Sequence, residues 1–426
     1  MKTINTITIG LISLLFSVTS MQAAEPPASA APKTEWQNIT AEKVKALNNT
    51  SDPAMIATYE KYKKWAGAKE GDVYGMIVLP NSDLIVAIKP HGYFRSTDQG
   101  ATWAGMDIPR AKGESAGAWS AHNFTMWYPD RIGFTLGDGI VSVSSDNGKT
   151  WTSIPVFKSY FDMADMDLID NMPPKTIMGC MHHPDFQGGS GALTTDGGKT
   201  WKYAPAPLKD IWHMNLGVVN ASTLLRGPAP EIKGILAQKT WEELTAEEKK
   251  TTKKPLAERA AGIFLSSDLG SHWTKVSDYT LNARVPVHYG RNVYWAAKEG
   301  VAVSRDGGKT WSVCGSPVEN INFGPYFGAN EQEMMVVDTL KGYYITRNGG
   351  QSWTLAAPFF LPPCAQNARY KATAPATKQD RYTGGDWYMG WDAKKNILYV
   401  APARGDVWKL RLGSTPAAGS VKDGRK

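Results

Sequence analysis

Short apolar runs, several of them alternating with polar residues, recur along almost the whole chain. Among them are "YGMIVLP" (74–80), "LIVAIKP" (84–90), "GIVSVSSD" (139–146) and "GVAVSRD" (300–306). A period of two over four to eight residues, bounded by Gly, Pro, Asn and Asp, is the signature of half-buried strands. Helical periodicity is confined to a few places. "AEKVKALNN" and "AMIATYEKYKKWAG" predict short helices within 41–67. "KTWEELTAEEKKTTKKP" predicts a charge-rich helix within 233–258, with Thr240 and Glu243 in capping-box spacing. The pattern therefore predicts an all-β protein with two helical excursions.

Between paired strands one octapeptide returns. It reads "STDQGATW" (96–103), "SSDNGKTW" (144–151), "TTDGGKTW" (194–201), "SSDLGSHW" (266–273), "SRDGGKTW" (304–311) and "TRNGGQSW" (346–353). A catalytic motif is needed once, whereas six copies describe scaffolding. Asp or Asn folds back to accept backbone N–H groups, Gly accepts a positive φ, and Ser or Thr adds a local bond. The Trp supplies an apolar plate that wedges between neighbours. Recurrence at about 40 to 50 residues with strand contents predicts a β-propeller of four-stranded blades, each box being the hairpin turn of the two outer strands. After the sixth box, "WYMGWDAKKNILYVAPARGDVWKLRL" (387–412) holds only three strands. "KTEWQNIT" (33–40) resembles a strand that follows a box and supplies the fourth. The expectation is a seven-bladed β-propeller, six boxed blades plus one composite blade closed from the N-terminal side, as a single domain over 34–412.

The remaining segments set the compartment. Lys2 followed by "ITIGLISLLFSV" and small residues reads as a secretory signal peptide over 1–24. No cysteine stands near Ala23 or Ala24, so a lipid anchor finds no support. Residues 25–33 form a Pro/Ala-rich tether, and 413–426 a polar tail. The expected location is the periplasm or outside the cell, with no membrane anchor. Of the three cysteines, Cys314 and Cys364 form the preferred bridge, three free thiols being the other arrangement. A formal charge of +7, spread along the chain, gives nucleic-acid binding no support but permits an acidic oligo- or polysaccharide partner.

Strand alternation sorts the loops. Boxes and the short turns after each inner strand share one end, while the long connections share the other, where recognition usually resides. At that end one position per inner strand yields Tyr74, His122, Asp165, His213, Arg284, Asn322 and Tyr388, with Trp387 alongside. The candidate catalytic residues are His122, His183, His213 and Tyr326, imidazoles and a phenol suited to moving protons near neutrality. His91, His182, Arg226, Arg284, Trp387, Tyr388 and Arg404 are the candidate substrate-binding residues. Asp162, Asp185 and Asp338 add carboxylates on that face. His182 and Asp185 permit a divalent metal, but "HHPD" lacks a zinc spacing, so no cofactor is assigned.

The six copies of [ST]-x-[DN]-x-G-x-x-W resemble the Asp-box, or BNR, repeats of sialidase-like propellers, and the resemblance covers most of the mature chain. True sialidases carry an arginine in a "RIP"-like motif on the first inner strand; here Gly75 and Met76 stand where Arg and Ile are expected. Other Asp-box propellers include polysaccharide lyases, rhamnosidase-like enzymes with a catalytic His, assembly factors and sorting receptors. The resemblance thus implies an exported carbohydrate-active enzyme, a lyase or exo-glycosidase acting on a uronate-type glycan. Its alternative is a non-catalytic propeller that binds glycan or protein.

Overall fold

In the computed structural model the described residues are 35–57, 60, 72–106, 121–136, 140–155, 161–181, 191–204, 215–227, 246–247, 262–360, 362, 387–402 and 405–413. The chain divides into two units, Met1–Lys33 and Thr34–Lys426, and every described residue belongs to the second. The expected signal peptide and tether therefore lie outside the described residues, as do residues 414–426 and most of the second helical excursion. The first excursion contains α1 (Ala41–Asn48), preceded by β1 (Gln37–Asn38).

The strands then follow in fours. They are β2 (Asp72–Val78), β3 (Leu84–Lys89), β4 (Gly92–Ser96) and β5 (Ala104–Met106); then β6 (Ala121–Tyr128), β7 (Arg131–Leu136), β8 (Ile140–Ser144) and β9 (Thr152–Pro155). Next come β10 (Phe161–Met166), β11 (Ile177–Met181), β12 (Gly191–Thr194) and β13 (Lys202–Tyr203); then β14 (Asn215–Val218), β15 (Leu224–Gly227), β16 (Ile263–Ser266) and β17 (Thr274–Ser277). After them lie β18 (Val287–Tyr289), β19 (Asn292–Ala297), β20 (Gly300–Ser304) and β21 (Ser312–Val313); then β22 (Phe323–Phe327), β23 (Met334–Asp338), β24 (Gly342–Thr346) and β25 (Thr354–Pro358). The last three are β26 (Trp387–Asp392), β27 (Ile397–Pro402) and β28 (Trp408–Arg411).

Each group of four is an antiparallel meander, and the whole is a β-propeller. The final group takes its outer strand from the N-terminal side: β1 pairs with β28 through Gln37↔Lys409 and Asn38↔Trp408. Hydrogen bonding divides the strands into five four-stranded sheets and one of eight. The larger sheet arises because inner strands β6 and β18 pair in parallel, His288 opposite Trp127 and Tyr289 opposite Tyr128.

The boxes are built as their residue types require. In the first, Asp98 Oδ1 accepts from Ser96 Oγ (2.8 Å) and Thr102 N (2.8 Å), Oδ2 accepts from Thr102 Oγ1 (2.6 Å), and Ser96 Oγ accepts from Gly100 N (2.7 Å). Gly100 has φ +85°, and a Cβ there would run into Ile39 of the composite sheet. The residue before this glycine is also left-handed, glycine in three boxes but Gln99, Asn147 and Leu269 in the others. Sheets are wedged together as expected. Trp103, Trp151, Trp201, Trp273, Trp311 and Trp353 each pack in the apolar cluster shared with the preceding sheet.

Cys314 is a free thiol rather than half of the preferred disulfide, and its Sγ lies 3.3 Å from Gly349 O on the neighbouring box. Cys364 lies outside the described residues.

The boxes also give an expected acid response. The Thr102 and Thr200 hydroxyls hold Asp98 and Asp196 down at about 2. At Asp146 and Asp306 partial burial pulls upward, but bonds from Thr150 and Thr310 outweigh it and leave these carboxyls at about 2 as well. Because the folded values lie below the unfolded value of about 4, the stabilisation is full above that pH and is lost as pH falls towards 2. Acid titration of a variant with all four replaced by Asn is expected to show a shallower fall in stability across that window. A slope equal to wild type overturns the assignment.

Candidate functional site

Hydrogen bonds between turns identify the two ends of the ring. Four of the six boxes bond to the first turn of their own sheet: Asn147 N donates to Asp130 O (3.3 Å), Gly197 N to Lys175 O (3.0 Å), Leu269 N to Ser222 O (3.3 Å) and Gly349 N to Gln332 O (2.9 Å). The boxes and short inner turns therefore share one end, and the long connections leave from the other.

Inner strands and turns meet one another at the box end. Gly290 N donates to Tyr128 O (3.1 Å) beside the β6–β18 pairing, and the Trp127 and His288 rings stack 3.8 Å apart. Arg131 Nη1 donates to Leu168 O and Ile169 O, and Arg291 Nη2 reaches Asp170 Oδ1 at 2.7 Å. Fully buried Asp165 accepts from Val218 N (2.8 Å) and His288 Nε2 (3.1 Å) through Oδ2, tying β10, β14 and β18 together.

Two expectations are corrected here. Asp165 is the second-last residue of β10, so it lies at the box end and not in the mouth. Tyr326 is likewise the second-last residue of β22, half-buried against the cluster of Met335, Met389 and Trp391, and burial followed by nearby Tyr128 pushes its phenol upward. Inner strands of five or six residues leave little room between ends, and counting one position per blade ignores where each strand begins.

At the opposite end three adjacent inner strands share an irregularity. In β2 the register passes from Val73↔Ile88 to Gly75↔Ala87, leaving Tyr74 as an extra residue. In β6 it passes from Ala121↔Leu136 to Asn123↔Thr135, leaving His122 extra. In β10 it passes from Phe161↔Met181 to Met163↔Cys180, leaving Asp162 extra. A bulge bends the strand and re-aims a residue, and bulges concentrate beside active sites. Sequence placed Tyr74 and His122 at equivalent positions, but the third member is Asp162, because an inserted residue leaves no mark in an alternating pattern.

The remaining candidates are dispersed. Arg284 lies at the long-connection end: its carbonyl accepts Leu216 N (3.0 Å), and its buried Nε has no partner among the described residues. Tyr388 is buried near the start of β26, the strand that Trp387 opens. His91 Nε2 lies 2.9 Å from Asn48 Oδ1 at the end of α1, and burial first, then Lys43, lowers its pKa to about 4, so the ring is neutral at pH 7.

Arg226, a substrate-binding candidate, is a residue of β15, fully buried in the seam against the β10–β13 sheet. His182, His183, His213 and Arg404 lie outside the described residues, as does Asp185. Among the described residues no three His, Cys, Asp or Glu gather as a metal site.

The BNR/Asp-box repeat matches residues 302–313, which run from the last three residues of β20 through the fifth box and β21. No curated protein matches. Similar solved structures include the GH74 enzyme of Niastella koreensis, 12% identical over 82% of this chain and 44% of that one, with a TM-score of 0.47. YCF48 bound to D1 peptide is 10% identical over 82% of this chain and 94% of that one, with a TM-score of 0.41. An ancestral GH74 enzyme is 11% identical over 82% and 49%, with a TM-score of 0.42. The chain spans less than half the length of either GH74 protein.

Proposed function

We propose that this chain is an exported carbohydrate-active enzyme, a polysaccharide lyase or exo-glycosidase, that works on a uronate-type glycan at the long-connection mouth of a seven-bladed ring. The seven blades count the eight-stranded sheet as two, joined where β6 meets β18. The observation that carries the proposal is the row of three bulges, which sets a tyrosine, a histidine and an aspartate on neighbouring inner strands at the end where Arg284 also lies.

These residue types suit proton transfer beside an acidic sugar. In an elimination, a cation that neutralises the carboxylate acidifies the adjacent C–H, and a base near neutrality such as His122 takes that proton. The pair left on carbon forms the double bond as the C–O bond to the leaving sugar breaks, and the leaving oxygen takes a proton. Hydrolysis would instead use two carboxyl groups held apart across the mouth.

The test is incubation of the mature protein with uronate oligosaccharides. A lyase produces the ultraviolet absorbance of an unsaturated uronate, and a glycosidase produces new reducing ends. His122→Ala is expected to lower turnover about 100-fold or more. Binding without either product identifies a non-catalytic propeller. Neither binding nor product across the panel overturns the glycan assignment altogether.

A further inference from the structure

Arg226 is not on an inner strand. It is the third residue of β15, paired with Leu216 on one side and Phe264 on the other. Its side chain is completely buried, and Nε, Nη1 and Nη2 have no hydrogen-bond partner among the described residues. The guanidinium lies over Gly191, where a Cβ would overlap Nη2 and sit 3.1 Å from Cζ. Gly191 is in register with Cys180, so the neighbouring sheet offers a glycine gap and a buried thiol at the long-connection ends of β11 and β12.

Burial lowers the guanidinium only to about 10, with Cys180 opposing, so it is cationic at neutral pH. A buried cation with five donors and no acceptor is costly, and proteins satisfy such groups with a counter-charge. A planar carboxylate fits the fork of an arginine through two parallel bonds.

We propose that Arg226, in the seam between the β10–β13 and β14–β17 sheets, is a receptor for a ligand carboxylate, with Gly191 leaving the space for its guanidinium. The carboxylate belongs to a small free acid or to the uronate terminus of a glycan. The site lies on a second strand rather than an inner one and stands whether or not the chain turns over a glycan.

The experiment is titration calorimetry and thermal unfolding of the full chain with acetate, glucuronate, neutral glucuronamide, and chloride at matched ionic strength. Wild type is expected to bind a carboxylate and to unfold at a temperature that rises with its concentration, with no response to chloride or glucuronamide. Arg226→Met loses this response, and Arg226→Lys weakens it about tenfold, from one lost charge-assisted bond. A response to acetate as well as glucuronate assigns the site to small acids; a response to glucuronate alone assigns it to the glycan. If Arg226→Met does not fold, Gly191→Ala, which intrudes on the guanidinium, is expected to weaken the response instead. Carboxylates that act no more strongly than chloride on wild type overturn the proposal and mean that the counter-charge is internal. So does an unchanged response in the folded variants.

Discussion

Replacing Asp165 by alanine is expected to lower the unfolding free energy by about 4 kcal/mol, because it strips acceptors from two fully buried donors at once. Val218 N and His288 Nε2 both end on Asp165 Oδ2, in the layer where the Trp127 ring stacks on His288. No water reaches these groups to replace the lost bonds: Asp165 is 0% and His288 1% exposed. Urea denaturation should show a lower midpoint at an unchanged slope, since the unfolded chain exposes the same surface. Asp165→Asn, which keeps an acceptor oxygen, is expected to lose less. A loss below about 1 kcal/mol for the alanine variant would show that the clasp is not what closes the box end.

Asp406→Ala is the second large effect, expected at about 3 kcal/mol from the loss of two hydrogen bonds to a carboxylate. Asn38 Nδ2 and Thr40 Oγ1 each donate to Asp406 at 2.9 Å, while Thr40 Oγ1 accepts Val407 N at 2.9 Å. Ile39, between them, donates to Val407 O and accepts Trp103 Nε1 from the first box at 3.1 Å. One carboxylate thus anchors the strand that joins the last sheet to the first. β1 is only two residues long and contributes little ladder of its own. Denaturation monitored by Trp fluorescence should report an early transition as the closure opens; a single transition at the wild-type midpoint would contradict this.

Several features were legible in the primary sequence for identifiable reasons. The Asp-box turns depend on contacts between residues at most four apart, such as Ser96 Oγ to Gly100 N and Asp98 to Thr102, so the octapeptide carries its own geometry. The closing role of "KTEWQNIT" was legible because Trp36 stands before β1 as a box Trp stands before an outer strand. Which end carries the boxes followed from strand alternation alone.

The candidate site was legible only in part. His122 and Tyr74 emerged from their place near the start of an inner strand, but Asp165 and Tyr326 came from the same counting and fell at the wrong end. The preferred Cys314 bridge failed because a buried sulfur beside a neighbouring carbonyl reads, in sequence, like one awaiting a partner.

Local patterning was sufficient for the strands, the turns and the order of the sheets, because these rest on side-chain alternation and on bonds within a few residues. The joining of β6 to β18, the clasp at Asp165 and the burial of Arg226 over Gly191 were decided only in three dimensions. Each brings together residues dozens of positions or more apart whose meeting depends on how far one strand extends past its neighbour. A single inserted residue in an inner strand shifts that reach without altering the hydrophobic pattern that encodes the strand.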